Sequence, residues 1–380
     1  MISLTPAAPL HCRDSSIRPR PGPRYSGAVT APSLACVGPA QHGVRMHAEN
    51  LAAHTPQARS LAGALEDVRP ALLAEDSPVH LHFTDRLFGA APALAARTVA
   101  EIAHRRPVSL TLHDIPQPSD GHAFAARRAA YADVVDRAHT VVVSSGSELA
   151  QLREHVPFTS APRFFVSPLP IDAPEPRQWG AARGAAGADV PPSVAVLGFL
   201  YPGKGHDRVV EALAGLPFGV DVLALGRASD GHEDLVPELD AAARRHGHTF
   251  RTTGFLDDAA LTRAAQRVTV AVVAPSHVSA SGSVGRWIAS GRKPLVTPHP
   301  YFAELAARAP WALTLTDDLE GSLRRALRDP ASTWIDPGAW RTADLPSSAV
   351  AAAAQWEQIT AVPCAADGAG PFSRPGKDTA

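Results

Sequence analysis

Short apolar runs alternate with amphipathic stretches along much of the second half of the chain. Each run is apolar on both faces, ends at a glycine or polar break, and precedes about a dozen residues with helical spacing. The six runs lie at residues 193–200, 220–226, 249–254, 268–274, 293–297 and 312–316. Such runs, alternating with helices, are typical of a parallel sheet covered on both sides. The pattern predicts an α/β unit.

A second, less regular series of the same kind comes earlier in the chain. Its strands are predicted at residues 33–37, 79–83, 108–112, 140–143 and 164–166, with helices at 88–103 and 123–137 among them. Ser145 and Glu148 stand three positions apart before an apolar stretch, which is the spacing of a capping box at a helix start. The chain is therefore predicted to hold two α/β domains.

Composition predicts where these domains begin and end. Residues 1–28 contain a proline- and arginine-rich tract that cannot bury apolar area, and residues 361–380 are similar, so both segments are predicted to be disordered. Residues 172–192, rich in proline, glycine and alanine, form the predicted linker between a first domain at 29–171 and a second at 193–346. A helix at 347–360 is expected to return to the first domain.

Length, composition and charge narrow the class of protein. The 380 residues exceed what one hydrophobic core usually organises, which supports two domains. A hydrophobic content of 45%, a charged content of 19% and a formal net charge of -1 indicate a globular protein in aqueous solution. They argue against a nucleic-acid partner, because such a partner is usually bound by a large basic field.

Cysteine usage and apolar run length bear on the cellular compartment. Cys12, Cys36 and Cys364 are scattered and form no C-x-x-C motif, which fits a reducing cytosol. The amino terminus lacks the pattern of an export signal, and no apolar run reaches about 18 residues. We expect a cytoplasmic protein with at most peripheral membrane contact, through the basic cluster at 104–106, for which a solvated helix end is the alternative.

Three loops at the predicted carboxyl ends of the second domain's strands, at 201–205, 226–227 and 276–283, are where a parallel sheet gathers ligands. The first loop joins a strand to a helix and carries Lys204, a combination that binds phosphate oxygens well. In the third loop, Ser281 or Ser283 can cap the next helix while free N–H groups face an anion. The alternatives are an ordinary glycine turn with a solvated lysine, and a serine–glycine turn without a ligand.

Histidines mark the corresponding edge of the first domain. His113 and Asp114 end a strand there, and a hydrogen-bonded structural role is the alternative to a catalytic one. His80 and His82 lie on one face of a strand and could, with Asp85, begin a metal site. The further ligands that metal-dependent hydrolases need are missing, so cleft lining or a satisfied buried pair are the other interpretations. We expect no metal.

Several short motifs together resemble those of one enzyme family. The first domain carries a threonine-leucine-histidine-aspartate at 111–114 and a domain-linking turn at 168–172; the second carries glycine-phenylalanine-leucine at 198–200, lysine-glycine at 204–205, and related segments at 223–226, 253–255, 275–276 and 289–296. In order and spacing these are similar to the retaining GT-B type glycosyltransferases, the group that includes bacterial mannosyl- and glucosyltransferases. The likeness covers about residues 33–360.

The resemblance implies a fold and an activity. The fold would be two Rossmann-like parallel-sheet domains facing across a cleft. The activity would be metal-independent transfer of a sugar, with retention at the anomeric carbon, from a nucleotide-sugar donor to an acceptor hydroxyl. The donor would be a substrate, and no separate cofactor is expected. Its base and sugar stay open, as does the acceptor, which could be a glycan, a lipid or a small metabolite.

The resemblance and the loop chemistry together give a set of candidate site residues. The candidates for catalysis are His113, whose role the resemblance suggests, Lys204 of the first loop, and Arg286, which could supply a missing positive charge. Donor contacts are assigned to Gly198, Gly203, Gly205, Gly226, Arg227, Ser279, Ser281, Gly282 and Ser283, and acceptor-side contacts to Gly43, His82, Asp85 and Asp114.

Three family positions differ in this chain. The phosphate-binding arginine of the family falls at Phe199, and its two glutamates, eight positions apart, fall at Val278 and Arg286. Because charge develops mainly on the departing diphosphate, cations and N–H donors can still support transfer. We therefore expect Lys204, Arg286 and the backbone at 281–283 to hold the diphosphate. A catalytically inactive sugar-nucleotide or glycan-binding protein is the alternative, and a metal-dependent hydrolase is a third interpretation.

Overall fold

The computed structural model describes residues 31–174, 191–342 and 344–361. The segment predicted to be disordered at 1–28, most of the predicted linker and nearly all of the predicted tail lie outside these residues. The described residues form two six-stranded sheets in which every paired strand is parallel.

The first sheet has the strand order β2-β1-β3-β4-β5-β6. Its strands are β1 (Ser33–Val37), β2 (Ser60–Gly63), β3 (Val79–Phe83), β4 (Val108–Leu112), β5 (Ala138–Val143) and β6 (Arg163–Val166). Five of them lie at or within two residues of the predicted positions. The sequence pattern does not predict β2, a four-residue edge strand that alternates between exposed and half-buried positions and is defined by its pairing with β1.

The second sheet has the order β12-β11-β10-β7-β8-β9. Its strands are β7 (Ser193–Leu197), β8 (Asp221–Leu225), β9 (Thr249–Thr252), β10 (Val270–Val273), β11 (Leu295–Val296) and β12 (Thr314–Leu315). All six were predicted, although most runs extend past their strands. Successive residues of β7 enter different clusters, Ala195 and Leu197 on one face and Val194 and Val196 on the other, so both faces of the sheet are covered.

Helices connect the strands and cover the sheets. In the first part of the chain they are α1 (Gly43–Ala53), α2 (Leu65–Ala74), α3 (Asp85–Phe88), α4 (Pro92–Arg105), α5 (Phe124–Val135) and α6 (Gly146–His155). In the second part they are α7 (His206–Leu213), α8 (Leu235–Arg245), α9 (Asp258–Arg267), α10 (Gly282–Ala289), α11 (Pro300–Arg308), α12 (Leu319–Arg328) and α13 (Ser348–Thr360). Short 3-10 helices lie at Pro118–Ala123, Pro330–Thr333 and Pro337–Thr342.

One predicted helix was wrong at its start. The continuous helix expected at 88–103 is instead the single turn α3, a break, and then α4, whose first residue is Pro92. Proline suits the first position of a helix because its missing N–H would have no partner there. The apolar spacing continues across the break, and the periodicity alone therefore hides it.

Helix α13 packs on the first sheet's side of the molecule, against α1 and β5. Leu51 of α1 and Ala351 of α13 share a small apolar cluster, and the Asn50 amide donates to Ser348 Oγ at 2.6 Å. Ser348 also donates from its backbone N–H to Asp172, at 2.8 Å. The carboxyl-terminal helix thus ties the chain that leaves the second sheet to the first.

Candidate functional site

The loop that follows β7 lies against the end of β10. Gly205 has a φ of +99°, and a Cβ added to it would lie 2.3 Å from the carbonyl oxygen of Ala274. Gly226, after β8, approaches as closely, since its Cβ would lie 2.1 Å from the carbonyl oxygen of Gly198. These two positions need glycine because any side chain would overlap backbone. Gly205 and Gly226, both predicted to contact the donor, therefore also allow neighbouring backbone segments to pack closely at the carboxyl ends of the strands.

Lys204 folds back over this loop. A Cβ on Gly198 would lie 3.3 Å from Lys204 Nζ, so the ammonium group stands over the space that the glycine leaves. The ring centroid of Tyr201 lies 5.9 Å from Lys204 Nζ. Burial lowers the pKa of Lys204 to about 8. Among the described residues no side-chain hydrogen bond or ion pair of Lys204 is found, which leaves the cation available to an anion.

The serine–glycine loop touches the lysine loop directly. The Ser276 N–H donates to the carbonyl oxygen of Gly203 at 2.8 Å, and His277 lies beside the same glycine. Ser281 caps α10 by accepting from the Val284 N–H at 3.4 Å. The structure therefore brings the two predicted phosphate-binding segments together at the same carboxyl edge. Gly282 begins α10, and Ser283 lies 3.0 Å from Ser281, Oγ to Oγ.

The arginines near this edge are already engaged. Arg286 forms an exposed ion pair with Asp258 at the start of α9, a partner that the sequence reasoning missed. Arg227 lies over the ring of Phe199, 5.0 Å from its centroid, and pairs with Asp230 at 2.6 Å. Phe199 stands where the resemblance places an arginine. Lys204 is thus the least committed cation of the three.

Ser279 faces the first domain. Its hydroxyl accepts from the Ile115 N–H at 3.0 Å and donates to the carboxylate of Glu148. Glu148 has no exposed surface, and its other oxygen accepts from the Ser144 N–H at 2.7 Å. The predicted capping box is half present, because Ser145 caps α6 as expected while Glu148 reaches one residue further back. The sequence indicated Glu148 as a cap and missed its contact with the second domain.

His113 and His82 form a stacked pair at the carboxyl edge of the first sheet. His82 Nδ1 lies 3.2 Å from His113 Nε2, and the ring of His47, on α1, is 5.4 Å from that of His82. Burial lowers the pKa of both His82 and His113 well below the usual value, so both rings are neutral at pH 7. Asp114 follows with a φ of +52° and accepts from the Thr84 hydroxyl at 3.2 Å.

His80 lies deeper than His82 and is fully hydrogen-bonded. Its ring nitrogens lie 2.9 Å from Ser109 Oγ and 2.9 Å from Thr111 Oγ1, and Gln355 of α13 approaches within 2.9 Å. This is the satisfied buried arrangement given as one alternative. Among the residues that the structure describes, no group of three or more His, Cys, Asp or Glu side chains is arranged to hold a metal ion.

Two further acceptor-side residues differ in accessibility. Asp85 is buried and is held by Arg127, whose Nε lies 3.3 Å from the Asp85 carboxylate. Arg127 also pairs with Asp120 at 2.6 Å, so the Asp85 carboxylate is committed to structure. Gly43 begins α1 in open space, with nothing within 4 Å of the position that a Cβ would occupy.

The basic cluster at 104–106 is not a continuous surface patch. Arg106 is fully buried and donates to Ser77 Oγ at 2.9 Å and to the carbonyl oxygen of Pro78 at 3.3 Å. Its role is to hold the loop before β3, which removes it from any membrane or acceptor contact. Within the described part of the chain, none of the helices is both long and apolar enough to cross a membrane.

Comparison with known proteins finds solved structures of similar fold but no relative in sequence. No protein-family model matches the chain, and no curated protein matches it in sequence. HepE from Anabaena, in complex with UDP and glucose, has a TM-score of 0.68 at 15% identity, over 88% of this chain and 100% of that one. Sucrose-phosphate synthase from Thermosynechococcus elongatus has a TM-score of 0.60 at 18% identity, over 82% of this chain and 90% of that one.

An alpha,alpha-trehalose-phosphate synthase from Burkholderia xenovorans, in complex with glucose-6-phosphate, is also similar, with a TM-score of 0.57 at 12% identity, over 83% of this chain and 78% of that one. At these identities the likeness establishes the fold. The predicted fold class, α/β with two Rossmann-like domains of GT-B type, is confirmed.

Proposed function

We propose that this protein is a nucleotide-sugar glycosyltransferase that transfers a sugar to an acceptor hydroxyl with retention and without a metal ion. The observation that carries the proposal is the position of Lys204, an uncommitted cation held over Gly198 and joined through Gly203 to the serine–glycine loop. The fold supports this proposal, because HepE, which is similar in structure over most of this chain, is known in complexes with UDP and with UDP-glucose. UDP is therefore the first nucleotide to test.

The negative charge that develops on the diphosphate in the proposed reaction would lie near Lys204. The acceptor oxygen bonds to the anomeric carbon while the bond from that carbon to the diphosphate oxygen breaks, and the electron pair leaves with the diphosphate. Lys204 and the first N–H groups of α7 and α10 would stabilise this charge, since helix amino termini favour anions. The hydroxyl proton would pass to a diphosphate oxygen, the strongest base formed in the step.

The first domain would supply the opposite wall. His113 is neutral and stacked on His82, so its ring can offer a hydrogen bond to a sugar or acceptor hydroxyl without adding charge. Asp114 lies close enough to the lysine loop to influence Tyr201, whose pKa is raised first by burial and further by the Asp114 carboxylate. A cleft with both walls in place would exclude the water that competes with transfer.

The test begins with donor binding. A thermal-shift panel of nucleoside diphosphates and their sugars should give a selective stabilisation, because a ligand that binds only the native state raises its stability by mass action. Calorimetry on Lys204→Ala should then show a loss of UDP affinity of about tenfold or more. Lys293→Ala is the matched control, since Lys293 precedes β11 and therefore lies at the amino-terminal ends of the strands, away from the candidate site.

The release of UDP from UDP-glucose without acceptor distinguishes an enzyme from a binding protein. Slow release by the wild type supports transfer, whereas tight UDP binding with no release would favour the catalytically inactive alternative. If no nucleotide in the panel stabilises the protein, or if Lys204→Ala binds UDP like the wild type, the proposal is wrong.

A further inference from the structure

Helix α6 of the first domain meets the second domain through charged groups. The Glu304 carboxylate, on α11, accepts from the N–H groups of Gly146 and Ser147, each at 3.1 Å. A carboxylate at a helix amino terminus is favourable, because free N–H groups and the helix dipole both face it. One glutamate of the second domain thus caps a helix of the first.

Glu148 makes the reciprocal contact from the same helix. It is fully buried, and its two oxygens accept from the Ser144 N–H and from the Ser279 hydroxyl. Burying a carboxylate costs stability unless hydrogen bonds compensate, and here one of the two bonds comes from the other domain. Removing Ser279 would therefore leave a buried carboxylate underbonded.

The Ser279 hydroxyl extends this contact to the histidine turn. While it donates to Glu148, it accepts from the Ile115 N–H at 3.0 Å, so one hydroxyl holds two first-domain segments. Ile115 directly follows Asp114. Ser279 lies three residues after Ser276, whose N–H bonds to the lysine loop. The wall carrying His113 and the wall carrying Lys204 are therefore joined through the serine–glycine loop and its hydrogen bonds.

We propose that Glu148 is a positioning residue that, through Ser279, holds the serine–glycine loop in register with the turn at 113–115. This inference rests on the proposed function, because the register matters for transfer between the two walls. Glu148 touches neither donor nor acceptor in this assignment, and its effect on turnover is indirect. Its contact Ser279 directly follows Val278, the position at which the resemblance places a family glutamate.

The first measurement requires no substrate. Amide hydrogen exchange at Ile115 should accelerate about tenfold or more in Ser279→Ala and in Glu148→Ala, since loss of a hydrogen bond lowers the local cost of opening. Asp136→Ala is the control: Asp136 accepts from the Thr159 and Ser160 N–H groups, at 2.7 and 2.6 Å, within the first domain only. It should lower thermal stability and leave exchange at Ile115 unchanged.

The second measurement is a double-mutant cycle on turnover. Each single variant should release UDP from UDP-glucose about tenfold more slowly. Glu148→Ala, which removes no residue assigned to the donor, should keep its calorimetric affinity for UDP within about threefold of the wild type. The double variant should be no more than about threefold slower than either single variant, because both substitutions break the same chain of bonds. A split between unchanged binding and reduced turnover is what a merely structural role would not produce.

The outcomes separate the two proposals. Unchanged exchange at Ile115 in both variants, or losses in turnover that multiply to about a hundredfold in the double variant, would overturn the role of Glu148. Accelerated exchange with wild-type turnover would overturn it too. A wild type that neither binds UDP nor releases it from UDP-glucose refutes the proposed function instead, and the exchange data then decide whether Glu148 joins the domains.

Discussion

Replacing Gly205 by alanine should distort the candidate site and destabilise the second domain together. The new Cβ would lie 2.3 Å from the Ala274 carbonyl oxygen, more than about 1 Å inside van der Waals contact, and that oxygen belongs to backbone that cannot rotate away. A left-handed φ costs an L-residue about 1–2 kcal/mol, and overpacking of this kind costs about 1–3 kcal/mol. The expected loss in the free energy of unfolding is about 2–5 kcal/mol.

Gly231→Ala is the control that measures only the cost of a left-handed φ, without the steric overlap. Gly231 has a φ of +81° and nothing within 4 Å of its Cβ position, so its loss should be about 1–2 kcal/mol. Urea unfolding measures both losses, and calorimetry with UDP should show weaker binding only for Gly205→Ala, because only that loop must move away from β10. Equal losses in the two variants, or undiminished UDP affinity in Gly205→Ala, would contradict this prediction.

Three further predictions concern charge and burial. UDP affinity should fall as the pH rises through about 8, where Lys204 loses its proton, and calorimetry on Lys204→Ala should show no such fall. His80 is buried and its pKa is lowered to about 3, so its contribution to the free energy of unfolding is fully present above about pH 6.5. This contribution falls by about 1.4 kcal/mol per pH unit between about pH 6.5 and 3. The free energy of unfolding in urea, measured from about pH 7.5 to 5.5, should therefore depend less steeply on pH in His80→Leu than in the wild type, and equal slopes would contradict this. Arg106→Ala should cost about 3 kcal/mol or more because it removes a buried charged hydrogen-bonding group, while Arg105→Ala should cost less than about 0.5 kcal/mol in the same assay.

Much of the fold could be predicted because strands buried on both faces leave a strong local signal. In β3, apolar residues alternate with two histidines, all five residues are buried, and the predicted bounds agree with the structure. β2 has no such signal, because an edge strand of four residues depends on the neighbour it pairs with. The break before Pro92 was hidden for a related reason, since the apolar spacing is the same on both sides of it.

The candidate site was predictable in part. Lys204 and Ser281 were placed on one edge from strand and loop order alone, since the carboxyl ends of parallel strands share an edge. The partners of individual side chains were not predictable in this way. Arg286 was expected at the diphosphate, and the structure pairs it with Asp258, 28 positions earlier in the chain.

Eleven of the twelve strands, the division into two α/β units and the loops that carry candidate ligand-binding groups follow from the sequence, because they depend on periodicity and turn chemistry within short segments. Which charged side chains are free to bind a ligand depends on the folded structure. Lys204 is uncommitted, Arg106 is buried, and Glu148 is bonded across the domains to Ser279. The state of a charged group depends on the residues that pack around it, and those neighbours come from segments far apart in the chain.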